Sequence, residues 1–268
     1  DFHCIAPDLM GLGDTEVDPK TTRFDMASQA EMLIEVMATL GYDEFAIVCH
    51  DQGGAAAQHI AANVPQRITA LVLTDCVCYD NWPVPVIRRL QSRMRSRFVS
   101  ELIARGHLGE WVETRTRLSA FRRGVYEPRK LSDDAIREYL RPLRTHAGRE
   151  RFRQFLLAGD SRYTQLAVDG LRRFEKPTFV IWAAEDRYLS PSWGQTLADD
   201  IPGAVGVRLV PFCGHFWQEE RPAEFASHIG AFLTEHLADR VVEGDGAVRR
   251  GKPVCAGATG YKKPPVTV

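Results

Sequence analysis

The sequence predicts an α/β protein, a mostly parallel sheet with helices on both faces and a long helical segment inserted into it. Three observations carry this. Short continuous apolar runs, of the kind that buried parallel strands show, alternate with helical periodicity from residue 3 to residue 75. The same alternation resumes after Pro177. Between these stretches, residues 80–170 lose strand character and become helical and rich in Arg. The composition agrees: of 268 residues, 44% are hydrophobic and 26% charged, which excludes a disordered, collagenous or coiled-coil chain. The net charge is −1, so no overall field points to nucleic acid. The longest apolar runs, at 45–49 and 178–184, are far too short to cross a bilayer.

Taken in order, residues 3–7 read as the end of a buried strand, and the chain begins as if inside it, followed by the turn-rich Asp8-Leu9-Met10-Gly11-Leu12-Gly13-Asp14. Apolar residues at helical spacing (Phe24, Met26, Ala27, Ala30, Leu33, Ile34, Met37, Leu40) predict a helix over 24–40, stopped by Gly41. A strand over 45–49, a helix over 53–63 and a strand over 68–74 follow. Pro83 and Pro85 then break the chain. Over residues 88–153 there are 18 Lys and Arg against 8 Asp and Glu, so a basic helical insert sits on an acidic α/β body. Such helices either steer anionic substrates or present a solvated face. Residues 178–183 are a strand, 191–200 a helix, 206–210 a strand and 221–238 an amphipathic helix. Residues 243–268, with five Gly and three Pro, read as a flexible or loosely docked tail. The six cysteines show no framework spacing, which points to reduced thiols in a cytoplasmic protein and to no metal site.

The chemistry is concentrated at Cys49-His50-Asp51-Gln52-Gly53-Gly54, between a buried strand and a helix of small residues. This is the pattern small-x-nucleophile-x-small of a nucleophile elbow. The tight turn crowds the backbone, so its flanks must be small, and it lifts the central side chain above the sheet edge at a helix N-terminus. Here the central residue is Asp51. A carboxylate acts as a nucleophile when it attacks an electrophilic carbon and forms an ester. A base and its orienting acid are also needed. His215 lies in a loop between strand and helix, and Asp186 lies just after a strand. The order nucleophile, acid, His is that of the α/β-hydrolase arrangement. Glu185 is the weaker choice of acid, and His50 is expected in a structural hydrogen bond.

These motifs, together with Ala6-Pro7-Asp8-Leu9-Met10-Gly11-Leu12-Gly13-Asp14, Trp182-Ala183-Ala184-Glu185-Asp186 and Cys213-Gly214-His215-Phe216, resemble the α/β-hydrolase family over residues 3 to about 238. His-Asp-x-Gly-Gly is similar to the branch with an aspartate nucleophile, which contains haloalkane and haloacetate dehalogenases and epoxide hydrolases. The resemblance implies Asp51 as nucleophile, Asp186 as acid and His215 as base, with no metal or organic cofactor. It also implies core segments over 1–77 and 173–242 and a helical cap over 78–172. Haloalkane dehalogenases carry Trp after the nucleophile, where this chain has Gln52. Haloacetate dehalogenases carry Arg there and three residues later, where this chain has Gln52 and Ala55. Epoxide opening is left ahead, by elimination.

Epoxide hydrolases protonate the leaving alkoxide with cap tyrosines, so Tyr126, Tyr139 and Tyr163, with Tyr79 at the cap entrance, are candidates beside Gln52 for the oxyanion and substrate. The family core has three further strands before residues 3–7 and a His-Gly motif in the loop after the third. No His-Gly occurs here, so the chain reads as N-terminally truncated relative to the family. The expected function is hydrolysis through an alkyl ester on Asp51, opening an epoxide or displacing a halide from a small organic substrate. The alternative is a catalytically impaired or ligand-binding protein. No nucleic acid or membrane partner is expected, and a homodimer is the candidate assembly.

Overall fold

A computed structural model describes residues 2–96, 108–116 and 119–241. Four parallel strands form one sheet in the order β1-β2-β3-β4: β1 Phe45–Asp51, β2 Ile68–Cys76, β3 Thr178–Ala183 and β4 Ala204–Val210. All four strands occupy their predicted places within a few residues. Their side chains alternate between two apolar layers, as the pleat requires. Leu71, Leu73, Val180 and Trp182 face one layer, with helices α1 (Met26–Thr39) and α2 (Gln52–Asn63). Ala70, Val72, Ile181 and Ala183 face the other, against Ile229, Phe232 and Leu233 of the long helix Pro222–Val241. Both faces are therefore covered at the central strands β2 and β3, which is why these two read as unbroken apolar runs.

Local signals set the helix ends. Asp25 caps α1 by accepting from the Ser28 N–H at 3.1 Å. Gly41, at φ 84°, follows its last turn in the left-handed conformation that favours glycine.

Between β2 and β3 the described residues are helical: α3 Pro85–Met94, α4 Leu108–Arg115, α5 Ala120–Arg123, α6 Asp133–Leu140, α7 His146–Ala158 and α8 Arg162–Leu171. Much of the basic charge of this segment is paired. Arg122 binds Asp133, Arg137 binds Asp134 at 2.6 Å, and Arg144 binds Glu110 at 3.0 Å. Arg141 holds Asp14 with a bidentate pair at 2.6 and 2.8 Å, tying the loop before α1 to this segment. Arg153 is buried and donates to the Met94 and Arg95 carbonyls. After β3 come α9 (Ser192–Asp200), the single turn α10 (Trp217–Glu220) and α11 (Pro222–Val241).

The strand expected over residues 3–7 is absent. A strand needs a neighbouring ladder, and the strand beside β1 is β2. His3, Cys4, Ala6 and Pro7 are exposed, and the His3 ring instead hydrogen-bonds the Tyr42 hydroxyl at 2.6 Å. The tail expected over 243–268 lies outside the described residues. Among the described residues, no helix is long and apolar enough to cross a membrane.

Candidate active site

The turn from β1 into α2 places Asp51 at φ 47° and ψ −124°, a conformation that costs a non-glycine residue on the order of 1–3 kcal/mol. Surrounding contacts hold it there. The Val77 N–H donates to the Asp51 carbonyl at 3.0 Å. Gly54 brings α2 so close to β2 that a Cβ there would stand 2.3 Å from the Cys76 Cβ. The small residues of the motif are therefore a packing requirement, and the strained turn leaves 33% of the Asp51 side-chain surface accessible.

Asp186 sits in the turn after β3 with its carboxylate fully covered. Its Oδ1 accepts the Tyr188 and Leu189 N–H groups at 2.7 and 3.0 Å, leaving Oδ2 to bind His215 Nδ1 at 2.9 Å. His215 comes from the loop after β4, and its ring packs against His50, Phe216 and Tyr188. Its Nε2 faces Asp51 Oδ1 at 3.9 Å. The three residues named from sequence thus form one line: carboxylate, imidazole, carboxylate. Gln52 contributes its backbone N–H, which hydrogen-bonds the Asp51 carboxylate.

Electrostatics follow from this line. Burial alone pulls the His215 pKa down. The Asp186 hydrogen bond and the charges of Asp51 and Asp186 outweigh it and hold the imidazolium up to about 9. Burial pushes the Asp51 carboxyl up, opposed by His215 and the Gln52 N–H. His50 is held down at about 3 by burial and by the neighbouring His215. It is therefore neutral, and its Nε2 hydrogen-bonds the His215 carbonyl at 2.8 Å. Burial pushes the Cys49 thiol up to about 12, so the thiol beside the turn is not a nucleophile at neutral pH.

Sequence reasoning missed Asp75, whose side chain has no solvent exposure at the end of β2. Its Oδ1 accepts the Ala183 N–H at 3.0 Å, and its Oδ2 accepts Trp217 Nε1–H and the Thr74 hydroxyl, both at 2.7 Å. Burial and the nearby Asp186 push its carboxyl well above the usual range. An acidic residue ending an otherwise apolar strand was the available signal. Asp75, Asp186 and His215 offer ligand atoms within 4.8 Å of one another. These atoms already accept from backbone, indole and hydroxyl donors or pair with each other, so the cluster is a hydrogen-bond network rather than a cation cradle.

The tyrosines engage other partners. Tyr139 donates to Glu219 Oε1 at 2.6 Å, Tyr126 packs edge-on against Phe212, and Tyr79 donates to Asp200 Oδ2 at 2.9 Å. Tyr163 lines a groove with Arg23, Asp25 and Arg162. No described contact joins any of these four to Asp51.

Comparison with known proteins adds to this geometry. Residues 1–228 match a family model described as the alpha/beta hydrolase family. A soluble epoxide hydrolase of Corynebacterium sp. (strain C12) is 26% identical over 237 residues, covering 82% of this chain and 77% of that protein. A 2-hydroxymuconate semialdehyde hydrolase of Pseudomonas putida is 29% identical over 239 residues, covering 86% and 76%. The crystal structure of a haloalkane dehalogenase from Bradyrhizobium elkani USDA94 superposes with a TM-score of 0.68 at 22% identity, covering 88% of this chain and 82% of the other.

Proposed function

Because this chain belongs to the alpha/beta hydrolase family, we propose that it is a hydrolase acting through a covalent alkyl ester on Asp51, with a small epoxide or haloalkane as substrate. The observation that supports this reading is the Asp51–His215–Asp186 line, with a carboxylate rather than a hydroxyl at the strained turn.

In the first step Asp51 attacks an sp³ carbon, and the bond from that carbon to the epoxide oxygen or halide breaks. Asp51 becomes a neutral ester. The charge that helps hold His215 protonated is then gone, so the imidazolium sheds its proton and becomes a base. For an epoxide, that proton is the one the ring-opened alkoxide requires. For a halide, it leaves to water. In the second step His215 Nε2 takes a proton from water, and the hydroxide attacks the Asp51 carboxyl carbon. The oxyanion that forms there faces the Gln52 N–H, and one such donor is worth on the order of 10²–10³ in rate. Collapse expels the alcohol, which takes the proton back from His215, and the Asp51 carboxylic acid left behind passes its hydroxyl proton to His215, restoring the carboxylate and the imidazolium. Asp186 holds the imidazole orientation throughout.

A single turnover in ¹⁸O-water tests this reading, with mass spectrometry of the Asp51 peptide and parallel assay of diol and halide. Label is expected in the Asp51 carboxylate. Turnover that leaves this peptide unlabelled refutes the ester, and the diol-to-halide ratio separates the two substrates.

A further inference from the structure

Glu220 is a buried carboxylate, 7% exposed, that ends the single turn α10. It accepts three backbone N–H groups from two stretches of chain, one six residues before it and one more than ninety residues before it. Its Oε2 accepts from Gly214 at 2.8 Å and from Tyr126 at 3.0 Å, and its Oε1 accepts from Glu127 at 2.7 Å. Gly214 immediately precedes His215. On the other flank of His215, the Phe216 N–H donates to the Gly124 carbonyl at 3.1 Å. The stretch 124–127, which joins two helices of the basic segment, therefore holds His215 from both sides.

There is no slack between the two pieces. A Cβ on Gly214 would lie 2.6 Å from the Gly124 carbonyl oxygen, and one on Gly124 would lie 2.6 Å from the Phe216 ring. Displacing 124–127 must move the loop that carries His215. The Nε2-to-Asp51 separation of 3.9 Å is already beyond hydrogen-bond length, so small movements bear directly on the reacting geometry. Hydrogen bonds to a charged acceptor are roughly twice as strong as neutral ones, which suits Glu220 to fixing this joint.

We infer that Glu220 is a positioning residue: through Gly214 it sets the placement of His215 against Asp51 and Asp186, and it couples that placement to residues 124–127. The catalytic part of this inference rests on the reading of His215 as the base.

The test is Glu220→Gln, which keeps the shape but turns an amide NH₂ toward backbone donors. Turnover is measured on an epoxide substrate of the parent, and the His215 ring is titrated by ¹⁵N NMR without substrate. We expect kcat to fall about 10–100-fold with KM within about twofold, as for misplacement of a reacting group by about 1 Å. The His215 titration should move down by about one unit as its Asp186 bond loosens. Glu220→Asp keeps the charge and is the milder variant, read in the same way should the Gln variant not fold. Loss of melting temperature with unchanged kcat and an unchanged His215 titration would overturn the inference. The titration needs no turnover, so it judges Glu220 even where ¹⁸O labelling refutes the ester.

Discussion

Replacing Asp51 with Asn removes one negative charge 3.9 Å from His215 Nε2 and almost no volume. At that separation a unit pair is worth about 1 kcal/mol in water and about 4 kcal/mol at an effective dielectric of 20. A third of the Asp51 side chain is accessible, which places the interaction between these limits. At about 1.4 kcal/mol per pKa unit, the His215 imidazolium should lose roughly one to two units from its value of about 9. The assay is ¹⁵N titration of the His215 ring, assigned by the signal lost in His215→Gln. The same variant mimics the charge state of the alkyl ester, so the measurement reads the electrostatic release on which the second step depends. A His215 titration within about 0.3 units of the parent would refute the idea that Asp51 holds the base protonated.

Other perturbations give distinct signatures. Asp186→Asn keeps an oxygen for the Tyr188 and Leu189 N–H groups but turns an amide toward His215 Nδ1. That forces the wrong tautomer, so kcat should fall about 10⁴-fold while ester builds up on the Asp51 peptide. His50 is held at about 3, whereas in the unfolded chain it titrates near 6.5, so the unfolded state binds the extra proton. Its contribution to stability is therefore present above about pH 6.5 and is lost as pH falls toward 3, by up to about 1.4 kcal/mol per unit. His50→Gln should flatten that part of the urea-unfolding profile between pH 7 and 5, and an unchanged slope would count against a buried neutral His50. Gly54→Ala places a Cβ 2.3 Å from that of Cys76 and should cost about 1–3 kcal/mol in denaturant unfolding. A parent-like midpoint would show that α2 can shift away from β2.

The strands and the turn that carries Asp51 were legible because their signals are local. Residues 68–74 and 178–183 are largely apolar on both faces, and along these two strands both faces are covered. Cys49 through Gly54 are small where the turn crowds the backbone, and the one residue lifted clear is Asp51. The strand expected at 3–7 had the right residue types, but hydrogen-bond pairing is a property of neighbouring strands, and among the described residues no strand pairs with this stretch. The tyrosine candidates illustrate the same limit. Composition supplies tyrosines between β2 and β3, while their hydroxyl partners, such as Glu219 for Tyr139, come from later in the chain.

The alternation of strands and helices, the carboxylate at the turn and the motifs that hold Asp51, Asp186 and His215 can each be read from a short local run of residues. What surrounds these residues is set by tertiary packing. Asp75 becomes a buried neighbour of the Asp186–His215 pair because Trp217, 142 residues away, donates to it. Glu220 reaches the Tyr126 N–H across 94 residues of sequence. Such contacts depend on how distant segments pack, and packing distances are set by the whole core rather than by any local pattern.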